Sequence, residues 1–326
     1  MVQIKGDPAK PGDRVRRHFL TLFGGAELPS DDHTSGRRAL AEWILTDGAV
    51  LSSRVIANRV WHYHFGRSLV PTPNDFGKQN KPPTHPELLD HLAIRLRTLG
   101  WSLKALHREI MLSHTYRMSA TRSDESLAKD PTNELVSAFP RRRLDAESLR
   151  DTLLLVGGTL DLSPAGEHPF PKPSEWKFTQ HNPFKAVYDS NRRTVFLMTQ
   201  RIQRHPFLAV FDGADPSAST PARPLSTTPL QALFLLNDPL VHTQAQRVAE
   251  RICANDKDQS TRISAVYTLL FARSPTAAEM TAATGYLDGL RSKLMAAGTS
   301  NDRLDVDSWA SLTQMLFRLN EFAYLD

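Results

Sequence analysis

Cysteine is almost absent from this sequence, because Cys253 is the only one in 326 residues. No internal disulfide can form, and neither a Cys-x-x-Cys pair nor a Cys-x-x-Cys-His haem attachment motif is present. We therefore expect no cofactor in this chain, and a haem would belong to a separate domain. Cys253 itself falls in an apolar helical segment, which favours a buried, inert thiol over a nucleophile.

Long apolar runs are also missing. No segment approaches the roughly 20 apolar residues that span a bilayer, and residues 1–8 lack the apolar core of a signal peptide. We therefore expect no membrane span and no signal peptide in this chain. The glycine motifs of nucleotide-binding loops and the Gly-x-Ser-x-Gly elbow are absent as well, which leaves nucleotide binding and elbow-type hydrolysis without support.

The sequence also lacks a strong excess of either charge. The net charge of +5 comes from 40 basic and 35 acidic residues that are interspersed along the chain, which argues against nucleic acid as a partner. The 12 histidines show no His-x-x-x-His spacing, so we predict no metal site from them. A calcium ion bound by aspartates stays open.

Helical periodicity dominates what is present. Composition divides the chain into a linker-like segment at 1–35, a helical region at 36–158, a loop-rich region with a short strand at 159–225, and a C-terminal helical region at 226–326. We predict a mainly α fold in which 36–326 form one compact unit, with a loop-rich middle containing one or two short strands. Any division of this unit is expected near 158 or near 225.

Local signals sharpen this prediction. Capping boxes are expected at Thr84-x-x-Glu87, Thr228-Pro229-x-Gln231 and Thr276-x-x-Glu279, and residues 194–198 have the composition of a strand. Residues 159–190 are rich in proline, which is typical of a long and often functional loop. Aromatic residues in and outside this loop can form a sugar-stacking surface or belong to the core: Trp61, Trp176, Phe178 and Phe184.

Two groups of charged residues are candidates for chemistry. In the first, Arg143, Glu147 and Asp151 fall at i, i+4 and i+8 of one predicted helix, with Arg150 beside them. Two neighbouring carboxylates framed by arginines can act as a general acid and base. The alternative is an ion-pair network that anchors the helix.

The second group surrounds the predicted strand at 194–198. The arginines predicted to bind an anion are Arg192, Arg193, Arg201 and Arg223. Asp212 and Asp215 are further candidates for an acid, a base or a calcium ligand. The alternative is that these aspartates cap turns and pair with the arginines.

A set of polar motifs carries a resemblance to a known family. The motifs are WHYHFG at 61–66, PNDFG at 73–77, HPELLD at 85–90, RRLDAESLRD at 142–151, STTPLQAL at 226–233 and NEFAYLD at 320–326. Together they resemble the C-terminal domain of unknown function of planctomycete proteins that also carry a cytochrome-c-like domain. The chain departs from this pattern at Ser68, where Gly-Arg-Gly is usual, and before Arg54, where Asn-Pro-Leu is usual.

The resemblance implies an exported setting but no activity. Its members place this domain behind a cytochrome-like segment and a companion domain, so a periplasmic or other extracytoplasmic location is expected. Our leading hypothesis is a module that recognises or helps process an anionic polysaccharide. The alternative is a non-catalytic scaffold that docks on the cytochrome-like and companion domains, and the sequence leaves open whether the protein is an enzyme.

Overall fold

The computed structural model of the chain describes residues 1–29, 34–78, 80–168, 171–179, 181–182, 184, 188, 190–255 and 258–325. The chain divides into two compact units, Met1–Pro140 and Arg141–Asp326. The divisions expected near 158 and 225 both lie inside the second unit, where they stay predictions. Parts of the predicted 159–190 loop lie outside the described residues.

The first unit begins with an exposed segment that contains the 3₁₀ turns Ile4–Gly6 and Thr21–Phe23. Its helices are α1 (Arg37–Leu45), α2 (Ala49–Phe65), α3 (Pro86–Thr98), α4 (Leu103–Leu112) and α5 (Asp124–Lys129). Helix α2 packs on α3, and α3 packs on α4. Their buried faces form one apolar core.

Asn58 is a polar residue buried in the middle of α2, and its hydrogen bonds explain why it is tolerated there. Its side-chain Nδ2 donates to the carbonyl of Val70 over 3.1 Å, and its Oδ1 accepts the amide of Val70 over 2.8 Å. This two-way hydrogen bond satisfies a fully buried amide and fixes the chain that follows α2. At one departure from the family pattern, the Ser68 hydroxyl lies 3.0 Å from Nδ1 of His62.

The second unit is also built from helices. They are α6 (Ala146–Gly157), α7 (Pro206–Val210), α8 (Pro229–Asn237), α9 (Pro239–Asn255), α10 (Gln259–Phe271), α11 (Ala277–Ala296), α12 (Asn301–Leu316) and α13 (Asn320–Ala323). Helix α9 is central because it packs on both α6 and α12. Leu153 of α6, Val248 of α9 and Trp309 of α12 are all fully buried in this core.

Strands form a small part of the described structure, which confirms the mainly α prediction. Strands β1 (Arg142–Arg143) and β2 (Tyr324–Leu325) pair antiparallel, with Arg142 opposite Leu325. The prediction of a strand at 194–198 is wrong, because Thr194–Phe196 is a 3₁₀ turn. The backbone amide of Thr194 donates to Oδ1 of Asp151 over 2.7 Å, so it does not join a ladder.

The helix-capping predictions are confirmed at two of three positions. Both reciprocal hydrogen bonds of a capping box are present at Thr228 and at Thr276. The box predicted at Thr84 is wrong, because α3 begins at Pro86 and His85 is its N-cap residue. A proline at the first helical position leaves the cap to the residue directly before it, which lies one position beyond Thr84.

Arg273 links three parts of the second unit through two carboxylates. It donates to both oxygens of Glu279 at 2.9 and 2.7 Å, and to both oxygens of Glu321 at 2.6 and 2.7 Å. Paired bidentate bonds of this kind are among the strongest side-chain contacts in proteins.

Among the described residues, none of the helices combines the length and apolarity that crossing a bilayer requires.

We predict that this cluster makes stability depend on acid pH. Hydrogen bonds from Arg273, and then from the Thr276 amide, lower the pKa of Glu279 from 4.5 to about 2. A carboxyl with a lowered folded-state pKa stabilises the fold above its unfolded-state pKa, and this stabilisation is lost as pH falls from about 4.5 toward 2. Glu279→Gln should lower the free energy of unfolding by about 1 kcal/mol at pH 7, allowing for solvent screening.

Urea unfolding from pH 7 to pH 3, followed by tryptophan fluorescence, measures this difference. The deficit of the variant should shrink as pH falls. Glu250→Gln is the matched control, since Glu250 lies in an exposed i,i+3 pair with Arg247. A deficit that stays constant down to pH 3 would contradict the prediction.

Candidate functional site

Arg192 and Arg193, two of the predicted ligand-binding arginines, each lie beside a different carboxylate. Nε of Arg192 is 3.4 Å from Oδ2 of Asp161, and Nε of Arg193 is 3.8 Å from Oδ2 of Asp151. More than half of the Arg193 side chain is exposed, so solvent screens that pair strongly. The two arginines are therefore drawn toward separate acids.

The other two predicted arginines lie in different surroundings again. Arg223 donates from Nη2 to Oε1 of Glu147 over 2.8 Å, with both side chains mostly buried. This pair connects α6 to the segment that precedes α8. Arg201 is exposed, and its carbonyl accepts a hydrogen bond from the hydroxyl of Ser217. The structure thus pairs Arg223 with one of the predicted acids.

Asp212 is engaged in closing a turn. Its backbone lies in the left-handed region at φ 62°. Its Oδ2 accepts the amide of Ser226 over 2.9 Å, its Oδ1 accepts the Ser226 hydroxyl over 2.7 Å, and Gln231 Nε2 lies 3.4 Å from Oδ2. These donors occupy both carboxylate oxygens and hold the chain that leads into α8.

Asp215 has its own set of partners. Its Oδ1 accepts the amide of Ser217 over 2.8 Å, and its Oδ2 is 2.7 Å from Nη2 of Arg204. The catalytic and calcium-binding roles suggested for Asp212 and Asp215 therefore stay predictions, made for two carboxylates that have different donors.

Arg143 requires a correction to the predicted acid–base group. It lies in β1, and α6 begins only at Ala146 after the cap residue Asp145. The i, i+4, i+8 relation therefore does not include it. Glu147 and Asp151 do lie one turn apart on α6, as the sequence indicated.

Arg150 and Asp151 form what we call the α6 clamp. The Arg150 side chain belongs to a residue that is only 4% exposed. Its Nη1 donates to the carbonyl of Arg192 over 3.3 Å and to the hydroxyl of Thr194 over 3.2 Å, and its Nη2 donates to the carbonyl of Ser190. Asp151 accepts both the amide and the hydroxyl of Thr194, at 2.7 and 2.6 Å. The clamp therefore fixes residues 190–194 against α6.

The beginning of the proline-rich loop is fixed at the same place. The hydroxyl of Thr159 donates to Oε1 of buried Gln244 over 2.7 Å, and the amide of Asp161 donates to the carbonyl of Asn191 over 2.8 Å. Gly157 makes this approach possible, because a Cβ there would lie 2.1 Å from Oε1 of Gln244. Both ends of the 159–190 loop are thus held together at its base.

A cleft of about 500 Å³ opens beside this base. Such a volume lies within the range of about 300–1,000 Å³ that small-molecule sites occupy. Its apolar surface includes Phe207 and Phe234, and its polar surface includes Asn191, His205 and Thr243. Arg150 and Arg247 supply positive charge to the same lining. The cleft is the candidate functional site.

Two arginines and one carboxylate are among the described residues that line the cleft. Among the described residues that line it, Asp238 is the carboxylate, and its Oδ1 accepts the amide of Leu240 over 2.9 Å at the start of α9. The Arg247 side chain is 57% exposed and lies 3.3 Å from Glu250 in an exposed pair of the kind that contributes little. The arrangement suits binding of an anionic group.

The described residues contain no group of three or more histidine, cysteine, aspartate or glutamate side chains that could hold a metal ion. One histidine contact was missed by the sequence analysis. His64 Nε2 lies 2.7 Å from Nδ1 of His107, in a pair whose rings meet edge to face. The two residues are 43 positions apart, so no local spacing indicated it.

Cys253 has the environment of an inert thiol. It is partly buried against the core of the second unit. Burial raises the pKa of the thiol, and nearby Arg262 opposes this shift. A raised pKa reduces the fraction of thiolate, which is the nucleophilic form.

The aromatic residues suggested as a sugar-stacking surface are divided. Trp61 is buried in the core of the first unit and stacks on Phe65 at 4.0 Å. Trp176, Phe178 and Phe184 form a cluster in the proline-rich loop, with ring centroids 5.3 and 5.5 Å apart along the series. Half of the Trp176 surface is exposed. A role of this loop cluster in sugar stacking stays a prediction.

The family model described as PSD1, a protein of unknown function (DUF1553), matches residues 36–287, which is most of the chain. No curated protein and no solved structure matches the chain significantly.

We predict that Thr194→Val weakens the α6 clamp. The substitution keeps the size of the side chain but removes the hydroxyl that contacts both Arg150 and Asp151. Hydrogen bonds to charged groups contribute about 1.5–3 kcal/mol, so we expect the free energy of unfolding to fall by about 2 kcal/mol. Urea denaturation measures the change.

Thr313→Val is the matched control. Thr313 is equally buried, but its hydroxyl donates to the carbonyl of Trp309 within α12. Removing this hydroxyl leaves no buried charge without a partner, so its effect should be under about 1 kcal/mol. Equal losses in the two variants would show that the clamp has no special role.

Proposed function

Since the chain belongs to the PSD1 family of proteins of unknown function, we propose its function from the cleft at the base of the proline-rich loop: binding of an anionic carbohydrate. The observation that carries the proposal is that two arginines and one carboxylate are among the described residues that line this 500 Å³ cleft. The ligand's sulfate or carboxylate would pair with Arg247 at the rim, and its ring would lie over the apolar lining.

Arg150 and Arg247 have different roles in this proposal. Arg150 is held by the carbonyls of the loop base, so it contributes a fixed positive charge to the wall. Arg247 pairs with exposed Glu250 and can exchange this pair for a ligand anion at little cost. Guanidinium groups bind sulfate and carboxylate through paired N–H donors, which gives the contact a defined geometry.

Trp176 supports a carbohydrate as the carrier of the anion. It is half exposed on the loop whose two ends line the cleft. Its indole Nε1 donates to the carbonyl of Pro171 over 2.9 Å, which orients the ring. An oriented aromatic surface is suited to packing against the apolar face of a sugar.

Three further expectations from the sequence are part of this proposal. They are the extracytoplasmic location, the planctomycete setting, and a role in processing as well as in recognition. Arg192 and Arg193 directly follow Asn191 of the cleft lining and stay predicted contacts of a longer ligand. Arg201 and Arg223 stay predicted contacts of such a ligand.

The scaffold alternative is favoured by one specific feature, the outer side of α8. Leu230, Leu233 and Leu236 share this side and are between 41% and 59% exposed. A helix with leucine on its solvent side is typical of a contact surface. On this reading the chain would dock on its cytochrome-like or companion domain, and no carbohydrate would stabilise it.

We predict that sulfated or carboxylated oligosaccharides raise the melting temperature of the purified chain and that neutral ones do not. A ligand that binds only the folded state stabilises it by about 2.7 kcal/mol at a hundred times its dissociation constant. Arg247→Gln should abolish most of this shift without lowering the melting temperature of the free protein. A thermal-shift series at low and moderate salt, with and without calcium, measures both effects.

Arg303→Gln is the matched control, because Arg303 is exposed and lies in an i,i+4 pair with Asp307. Its response to every oligosaccharide should equal that of the unmodified protein. A shift that is the same in both variants would mean that the ligand does not bind in the cleft. The absence of any shift would favour the scaffold.

A second prediction concerns the sugar rather than the anion. Trp176→Ala should weaken binding of an anionic oligosaccharide about tenfold, which corresponds to about 1.4 kcal/mol. It should leave the affinity for inorganic sulfate unchanged. Isothermal titration of both ligands tests this, and equal weakening for both would mean that Trp176 supports the fold instead of contacting the sugar.

A further inference from the structure

A second, smaller cleft lies at the other end of α6, where β1 and β2 meet α8 and the end of α12. Its volume is about 170 Å³. Its apolar surface includes Leu149, Phe211, Leu235 and Phe317. The most buried charged residue in its lining is Arg143, whose side chain is only 9% exposed. The cleft is thus apolar with one deeply placed cation.

Among the described residues, Arg143 has one carboxylate within ion-pair distance, and that contact is long. Its nearest carboxylate is that of Asp212, at 3.9 Å from Nη1. That carboxylate already accepts the amide and the hydroxyl of Ser226 at 2.9 and 2.7 Å. Nη1 of Arg143 itself donates to the carbonyl of Ser226 and lies 3.4 Å from Oε1 of Gln231, both of which are neutral acceptors.

A buried cation of this kind attracts an anion. Removing a charge from water costs several kcal/mol unless a partner of opposite charge compensates. Arg318 adds a second positive charge to the lining, and the guanidinium of Arg141 lies 5.2 Å from the ring of Tyr324 at the edge of the cleft. None of the described residues that line the cleft carries a carboxylate.

We propose that this cleft binds a small carboxylic acid with an apolar body. The carboxylate would pair with Arg143, and the body would fill the space between Phe211, Leu235 and Phe317. The size fits a single ring or a short chain, because an apolar cavity of about 150 Å³ takes up benzene. Charge-assisted hydrogen bonds to the guanidinium would then orient the ligand. This site is independent of the carbohydrate cleft.

The same chemistry also occurs at the end of a peptide. A chain terminus with an apolar last residue presents a carboxylate beside an apolar side chain. The small volume favours a free acid, because the rest of a peptide would have to remain outside the cleft. The experiment therefore contains an arm for each source.

Titration calorimetry with phenylacetate tests the proposal, with phenylacetamide as the uncharged ligand of the same shape. We expect saturable binding of phenylacetate at one site and at least tenfold weaker binding of phenylacetamide. The third ligand is a short N-acetylated peptide that ends in a phenylalanine carboxylate. It should bind more weakly than phenylacetate.

Two variants separate the site from the fold. Ala232 is an exposed residue of α8 that lines the cleft, so Ala232→Phe should fill the cleft and abolish phenylacetate binding. The melting temperature of this variant should be unchanged or raised. Ala282→Phe, on the exposed side of α11, is the matched control and should bind normally. Arg143→Met should lose binding as well, but it also removes contacts to Ser226 and Gln231, so Ala232→Phe is the decisive variant.

The proposal is overturned by any of four results. These are no saturable binding of phenylacetate, equal binding of phenylacetamide, normal binding by Ala232→Phe, or tighter binding of the peptide. The last result would assign the cleft to a chain terminus. None of these results bears on the carbohydrate cleft, whose test uses Arg247 and different ligands.

Discussion

The contact between Arg150 and the chain at 190–194 is the constraint on which the candidate site depends. A buried arginine must find acceptors inside the protein, and Arg150, which is only 4% exposed, donates to two loop carbonyls and to the Thr194 hydroxyl. Because α6 packs against α9 in the core, this contact fixes the base of the loop to the core. The cleft exists where this base meets α9.

Arginines have two different uses in the second unit. Arg273 and Arg223 are engaged with carboxylates and connect segments that are distant in sequence. Arg150 donates to the carbonyls of Ser190 and Arg192, and Arg143 lies 3.9 Å from a carboxylate that other donors already occupy. Each of these two arginines lines one of the two clefts, which is why ligand binding is proposed there and not at Arg273 or Arg223.

Much of the fold could be predicted because its signals are local. The caps at Thr228 and Thr276 and the helices that follow them depend on residues within one turn of each other. The prediction at 194–198 failed because strand composition competed with a contact from Asp151, 43 residues earlier. The Thr84 box failed for a local reason, since Pro86 fixed the start of α3.

The candidate site could be predicted only in part. Asp151 and Arg150 were recognised as neighbours on one helix, and the loop after them was recognised as long and rich in proline. The sequence could not indicate that Arg150 would bind the far end of that loop, since the two are separated by about forty residues. His205 and Arg247 were missed for the same reason, because the cleft gathers residues from several segments that share no local pattern.

Hydrogen–deuterium exchange of the protein and of Arg150→Met tests the central claim most directly. The account predicts that the amide of Thr194 exchanges slowly in the unmodified protein, and that exchange across 190–198 increases at least tenfold in the variant while α12 stays protected. Unchanged exchange across 190–198 in a folded variant would contradict the claim that Arg150 holds the loop base and forms the cleft.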